Sequence, residues 1–215
     1  MRRDRPILAI AAVGIVIAVS LVVAVLVAAH GSERQPQPDR PPSGPYRGSE
    51  PPGRNELAPF ALPSYLGGKV SSAQLGGKVV ALMFLESKCT EACPIIAVQV
   101  ARGIDLLMPP ERRQVRAIAI STQPFDDTRQ NVRRFLARRH AIGRVDYLIG
   151  TEAELRPVWR RYHILSALDS GDADTHSASV HIYDRDGVWV SSLHPGIDLT
   201  PENFAHDVRR ALRSS

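Results

Sequence analysis

The chain has 215 residues, 44% of them hydrophobic, a net charge of +5 and two cysteines. That is ample apolar material for one buried core, and too few cysteines for a disulfide-dense scaffold or a four-thiolate iron–sulfur cluster. Much of the positive charge sits in Arg2, Arg3 and Arg5 and in Arg129, Arg133, Arg134, Arg138 and Arg139. The second group reads as a solvated helix face more readily than as a surface for anionic lipid headgroups.

Residues 1–6 are basic, and Ile7 to Ala29 carries no charge and is almost wholly Ala, Val, Ile and Leu. At ~1.5 Å per residue this stretch is long enough to cross a bilayer core of ~30 Å. Val27-Ala28-Ala29 also matches the small-residue end of a cleavage site. Secretory leaders usually have a shorter apolar region, so the reading is an uncleaved anchor over 7–29. The preceding arginines put residues 1–6 in the cytoplasm and the rest of the chain outside, in a single-pass arrangement. A nucleic-acid partner does not fit that placement. Residues 30–57 hold Pro36, Pro38, Pro41, Pro42, Pro45, Pro51 and Pro52 among Gly and Ser, the composition of a semi-extended spacer. Residues 58–215 then have the length of one ordinary domain.

Within that domain, Val79 to Leu85 is a continuous apolar run and predicts a buried strand. Pro94 suits the first turn of a helix that Pro109-Pro110 ends. Val115 to Ile120 predicts a second buried strand, and Asp126-Asp127-Thr128 opens a helix to about His140, its acids favoured by the helix dipole. Tyr147 to Ile149 predicts a short strand. Thr151 to Glu154 reads as a capping sequence for a helix to about Tyr162. Ala178 to Tyr183 and Val188 to Leu193 predict two strands joined by the turn Asp184-Arg185-Asp186-Gly187, which lacks the further acids of a calcium loop. A last helix covers about Pro201 to Leu212. The order β-α-β-α-β-α-β-β-α is that of a thioredoxin-like α/β domain: a central mixed sheet flanked by helices, here behind a transmembrane helix.

Both cysteines lie in Cys89-Thr90-Glu91-Ala92-Cys93-Pro94, just beyond the first long strand, where sites form in such sheets. A disulfide between them closes too short a loop to stabilise the fold much. Two soft sulfurs can instead hold a soft metal ion or cycle between dithiol and disulfide. The helix dipole and Lys88 favour the thiolate at Cys89, and Glu86 and Glu91 oppose it. Structural zinc would demand two histidines besides the cysteines, whereas Cu(I) accepts fewer ligands. Of the seven histidines, His30 is in the spacer and His140, His163 and His206 lie on or near helices. His176 precedes a core strand. His181 is five residues on and so faces the other way along that strand. His194, beside Pro195, is a weaker alternative, and spacing alone does not choose among these.

Three blocks carry a resemblance to the Sco/SenC family of membrane-anchored, thioredoxin-like copper-binding proteins. They are Cys89 to Pro94, Ser121-Thr122-Gln123-Pro124-Phe125-Asp126-Asp127-Thr128, and His176-Ser177 with Ile182 to Gly187. The likeness implies copper, as Cu(I), Cu(II) or both, on Cys89, Cys93 and His176. It implies delivery to the binuclear CuA centre of cytochrome c oxidase, reduction of that centre's cysteines, or both. Thr90, Gln123 and Thr175 depart from the family pattern without changing a ligand.

Two other chemistries compete. A thiol–disulfide reductase for exported proteins would use Cys89 and Cys93 as its redox pair, although the usual spacing is one residue shorter. A peroxidase would need a hydroxyl residue three before the reactive cysteine, where this chain has Glu86, whose charge opposes a thiolate.

Overall fold

The computed structural model describes residues 44–164 and 178–214. The expected cytoplasmic residues 1–6, the apolar segment 7–29, the first half of the spacer, His30 and His176 lie outside them. Among the described residues no helix is long and apolar enough to cross a membrane.

The elements in chain order are β1 (Ala61–Pro63), β2 (Lys69–Ser71), a 3-10 turn (Ser72–Leu75), β3 (Val79–Leu85), α1 (Ala92–Asp105), α2 (Pro109–Arg112) and β4 (Val115–Ser121). They continue with α3 (Arg129–Arg138), β5 (Val145–Leu148), α4 (Glu152–Arg161), β6 (Val180–Tyr183), β7 (Trp189–Leu193) and α5 (Pro201–Arg213). Five strands form one sheet in the order β5-β4-β3-β6-β7, and β1 and β2 pair separately. β3 runs parallel to β4, and β4 to β5, while β6 is antiparallel to both β3 and β7.

The apolar runs follow from this arrangement. Every residue of β3 is buried, because β3 sits mid-sheet with side chains alternating onto two covered faces. Val79, Ala81, Met83 and Leu85 pack with Ile96 and Val100 of α1, Phe135 of α3 and Phe204 of α5. Val80, Leu82 and Phe84 face the other way, onto Phe60, Leu62, Leu75 and the α4 residues Leu155, Val158 and Trp159. The two parallel crossovers place α1 and α3 on one face, and α4, which leads from β5 to the antiparallel β6, packs on the other. The carboxyl ends of β3, β4 and β5 share one edge of the sheet, which the amino end of β6 completes.

The helix starts follow local chemistry. Thr128, Thr151 and Thr200 each cap a helix by accepting the N–H of the third residue on. Glu154 completes a capping box at α4.

The structure adds to the sequence reading at two points and corrects it at a third. The β1–β2 pair was not expected, because strands of three residues carry no readable periodicity. The helix α1 ends before Pro109-Pro110, as expected, and Pro109 in addition opens the single turn α2, where its fixed φ is suited. The spacer does not extend to Leu57. From residue 44 the chain lies along the domain, with Ser49 bridged to Ser192 and Glu56 to Val188.

Candidate metal centre

The loop from Glu86 to Glu91 carries the chain from β3 into α1. The helix begins without a side-chain cap at Glu91, so its first N–H groups need another partner. That partner is sulfur: the Cys89 thiolate accepts from the backbone N–H groups of Cys93, Glu91 and Ala92. Both cysteines are unbridged, Cys89 half-buried and Cys93 buried. Their side chains are hydrogen-bonded to each other. This contact, more than any other factor, lowers the Cys89 pKa; burial opposes the shift, and the three amides reinforce it. The same contact raises Cys93, and its burial adds to the effect. Cys93 sulfur also accepts the Glu86 N–H. The reduced site is therefore a thiolate at the mouth and a thiol donating to it from behind.

The surrounding charges differ from expectation. Lys88 is ion-paired with Asp126, so its charge is shared with an acid rather than directed at sulfur. Glu86 has a raised pKa, first from burial and then from Asp127 and Cys89. Asp127 does not serve the α3 dipole. It turns inward, 3% exposed, and accepts the Ser87 N–H at 2.8 Å. Its burial against Ser121 and Tyr147 was not foreseen from the sequence, which read it as an acid at a helix start. The only sequence signal was its place in the Ser121 to Thr128 block.

The histidines separate as follows. His181 faces away from Val180 and Ile182, stacked on Trp189 at 4.2 Å, with its Nε2 2.7 Å from Ser179 Oγ. Burial pushes its pKa down to about 4, with a further contribution from His194. His194 is half-exposed, its Nδ1 3.6 Å from Asp198 Oδ1. His206 Nδ1 is 2.8 Å from Asp207 Oδ1. His140 and His163 end α3 and α4 with φ of 54° and 53° and are exposed. Among the described residues no third His, Cys, Asp or Glu joins the two cysteines in a metal-holding group. Arg129, Arg133, Arg134 and Arg138 are exposed on α3, as the sequence pattern implied.

The family model for SCO1/SenC matches residues 49–213. The chain belongs to the SCO1/SenC family. Its fold matches that of ScoI from Bradyrhizobium japonicum, solved with copper bound, at TM-score 0.57 and 27% identity, over 74% of this chain and 100% of that one. Apo Sco1 from Thermus thermophilus aligns at TM-score 0.64 and 21% identity, over 78% of this chain and 97% of that one. BsSco, a member of the Sco family of cytochrome c oxidase assembly proteins in which a disulfide switch was identified, aligns at 0.63 and 23%, over 75% and 96%. No curated protein matches the chain.

Proposed function

We propose that this SCO1/SenC protein is a membrane-anchored, extracytoplasmic copper chaperone. It takes copper on Cys89, Cys93 and His176. It passes the ion to the CuA-bearing subunit of cytochrome c oxidase or to another copper-accepting exported protein. The observation that carries this reading is the reduced sulfur pair at the uncapped start of α1, one sulfur already a thiolate. Soft sulfur is the donor type that selects Cu(I). Copper enters as cargo: Cys89 offers the first bond, and Cys93 gives up its proton to supply the second. His176 is assigned from the family motif. The anchor over 7–29 and the outward placement rest on apolar length and on the flanking arginines.

An anaerobic Cu(I) titration of the reduced full chain against a competing chelator tests this. One ion per chain is expected, with binding sharply weakened in Cys93→Ser and in His176→Ala. Equal binding without either cysteine would sink the proposal.

One observation favours a second reading, reduction of disulfides in exported proteins or in the CuA site itself. The thiolate Cys89 touches the thiol Cys93, which is the pairing of an attacking and a resolving sulfur. Cys89 would attack the substrate disulfide, and Cys93 would then release the reduced substrate and leave the pair oxidised. A mixed disulfide trapped on Cys89 in Cys93→Ser, in a chain that binds no Cu(I), would favour this reading.

A further inference from the structure

Behind the cysteine loop four buried oxygens form a chain. Leu85 O lies 2.8 Å from Tyr147 Oη, Tyr147 Oη lies 2.7 Å from Asp127 Oδ2, and Asp127 Oδ2 lies 2.6 Å from Ser121 Oγ. All three separations are ordinary for O–H···O hydrogen bonds. Three links need three hydrogens. Tyr147 and Ser121 bring one each, and the Leu85 carbonyl brings none. The third hydrogen has to belong to the carboxyl group. With an ionised carboxylate, one link would set two acceptors against each other at bonding distance. Tyr147 is fully buried and Asp127 nearly so, leaving no room for solvent to screen that contact.

The other carboxyl oxygen reaches the site. Asp127 Oδ1 accepts the N–H of Ser87, two residues before Cys89. The group therefore ties the exits of β3, β4 and β5 to the loop that presents the thiolate. We propose that Asp127 is a positioning residue for the Cys89 loop, held as a neutral carboxylic acid that accepts from Ser87 and donates to Tyr147. Its metal readout rests on the copper reading above. The proton serves the site by keeping a third full negative charge away from a thiolate that already faces Glu86. The titratable groups coupled to Asp127 are Glu86 and Tyr147, and the nearby cation Lys88 is paired with Asp126. Burial raises the Asp127 pKa, opposed by its contacts with Ser121, Ser87 and Tyr147.

Asparagine can copy a neutral acid here. Its oxygen can accept from Ser87, and its two N–H bonds can meet Tyr147 and Ser121. Alanine can do neither. The test uses the reduced full chain in detergent, as wild type, Asp127→Asn and Asp127→Ala. Infrared spectra at neutral pH should show a protonated carboxyl C=O stretch that Asp127→Asn removes. Cu(I) affinity should stay within about threefold in Asp127→Asn and fall by about tenfold to a hundredfold in Asp127→Ala, the range for groups that orient metal ligands. The rate of Cys89 alkylation by iodoacetamide should follow the same order without any metal. Lack of an infrared band assignable to Asp127, or an asparagine variant as impaired as the alanine one, would overturn the proposal. Wild type failing to bind Cu(I) would count against the copper reading alone, because the infrared and alkylation results still decide the role of Asp127. The infrared result also needs no folded alanine variant.

Discussion

Cys89 and Cys93 are chemically identical, and their difference comes from position. One receives the free amides at the start of α1, and the other is buried behind it. The motif spacing announced a thiolate near a helix start, but it could not reveal the inward turn of Asp127 or the partner of Lys88. Both depend on how β3, β4 and β5 end side by side, which is a property of the sheet and not of a local segment. His181 lies on the face of β6 away from Val180 and Ile182. Its environment makes a pH prediction. The folded-state pKa is about 4 against ~6.5 in the unfolded chain, the shift due first to burial and then to His194. Well above pH 6.5 the ring is neutral in both states and nothing is lost. As pH falls from 6.5 to 4, the unfolded chain takes up a proton that the folded one refuses, so stability drops by on the order of 2 kcal/mol. Urea unfolding at pH 7 and 4.5 should show that drop, with a smaller one in His181→Phe, which keeps a ring against Trp189. Equal drops would show that His181 titrates normally in the fold.

At the scale of elements, strong patterns were legible and short ones were not. The apolar runs of β3 and β4 and the threonine cap of α4 read directly, because each is decided locally. The three-residue strands β1 and β2 are held by pairing, with Leu62 opposite Val70, which no window of sequence displays. Helix packing hides in the same way. A Cβ at Gly103 in α1 would lie 2.4 Å from Cδ1 and 3.1 Å from Cβ of Phe204 in α5. Phe204 is fully buried, so its ring has little room to swing clear. Gly103→Ala gains about 1 kcal/mol of helix propensity and loses roughly 1–3 kcal/mol to overpacking. The expected result is net destabilisation by about 1 kcal/mol in urea melts. Combining it with Phe204→Leu should be less damaging than the two single losses added together, because both changes act on one contact. Strict additivity would mean that α1 and α5 tolerate the methyl group by sliding.

At the scale of the molecule, the domain boundary was misplaced for an instructive reason. Proline-rich composition signals the absence of a local core, but residues 44–57 borrow one. Tyr46 is buried in the main cluster and its hydroxyl meets Ser214. The Arg47 and Gly48 N–H groups donate to the two oxygens of Asp207 at 2.7 and 2.9 Å. Asp207 is completely buried and also receives Ser191 Oγ. Gly48 has to be glycine, since a Cβ there would lie 2.4 Å from the Ser192 carbonyl oxygen. Ser49 then exchanges two backbone bonds with Ser192, both 2.9 Å, and Trp189 donates to Asn55 at 2.8 Å, so the segment covers the outer edge of β7. A domain started at Ala58, where composition alone would cut, leaves Asp207 without two donors, at about 1–3 kcal/mol each, and forfeits the burial of Tyr46. Losses of this size should lower the melting temperature by roughly 10 °C or more relative to a domain started at Gly44. Asp207→Ala in the longer form should reproduce much of the loss, because it strands the same two N–H groups. Equal melting temperatures for the two starts would show that residues 44–57 merely lie on the surface. A large difference would place the working start of the domain at the edge of β7, leaving residues 30–43 as the stretch between it and the apolar segment.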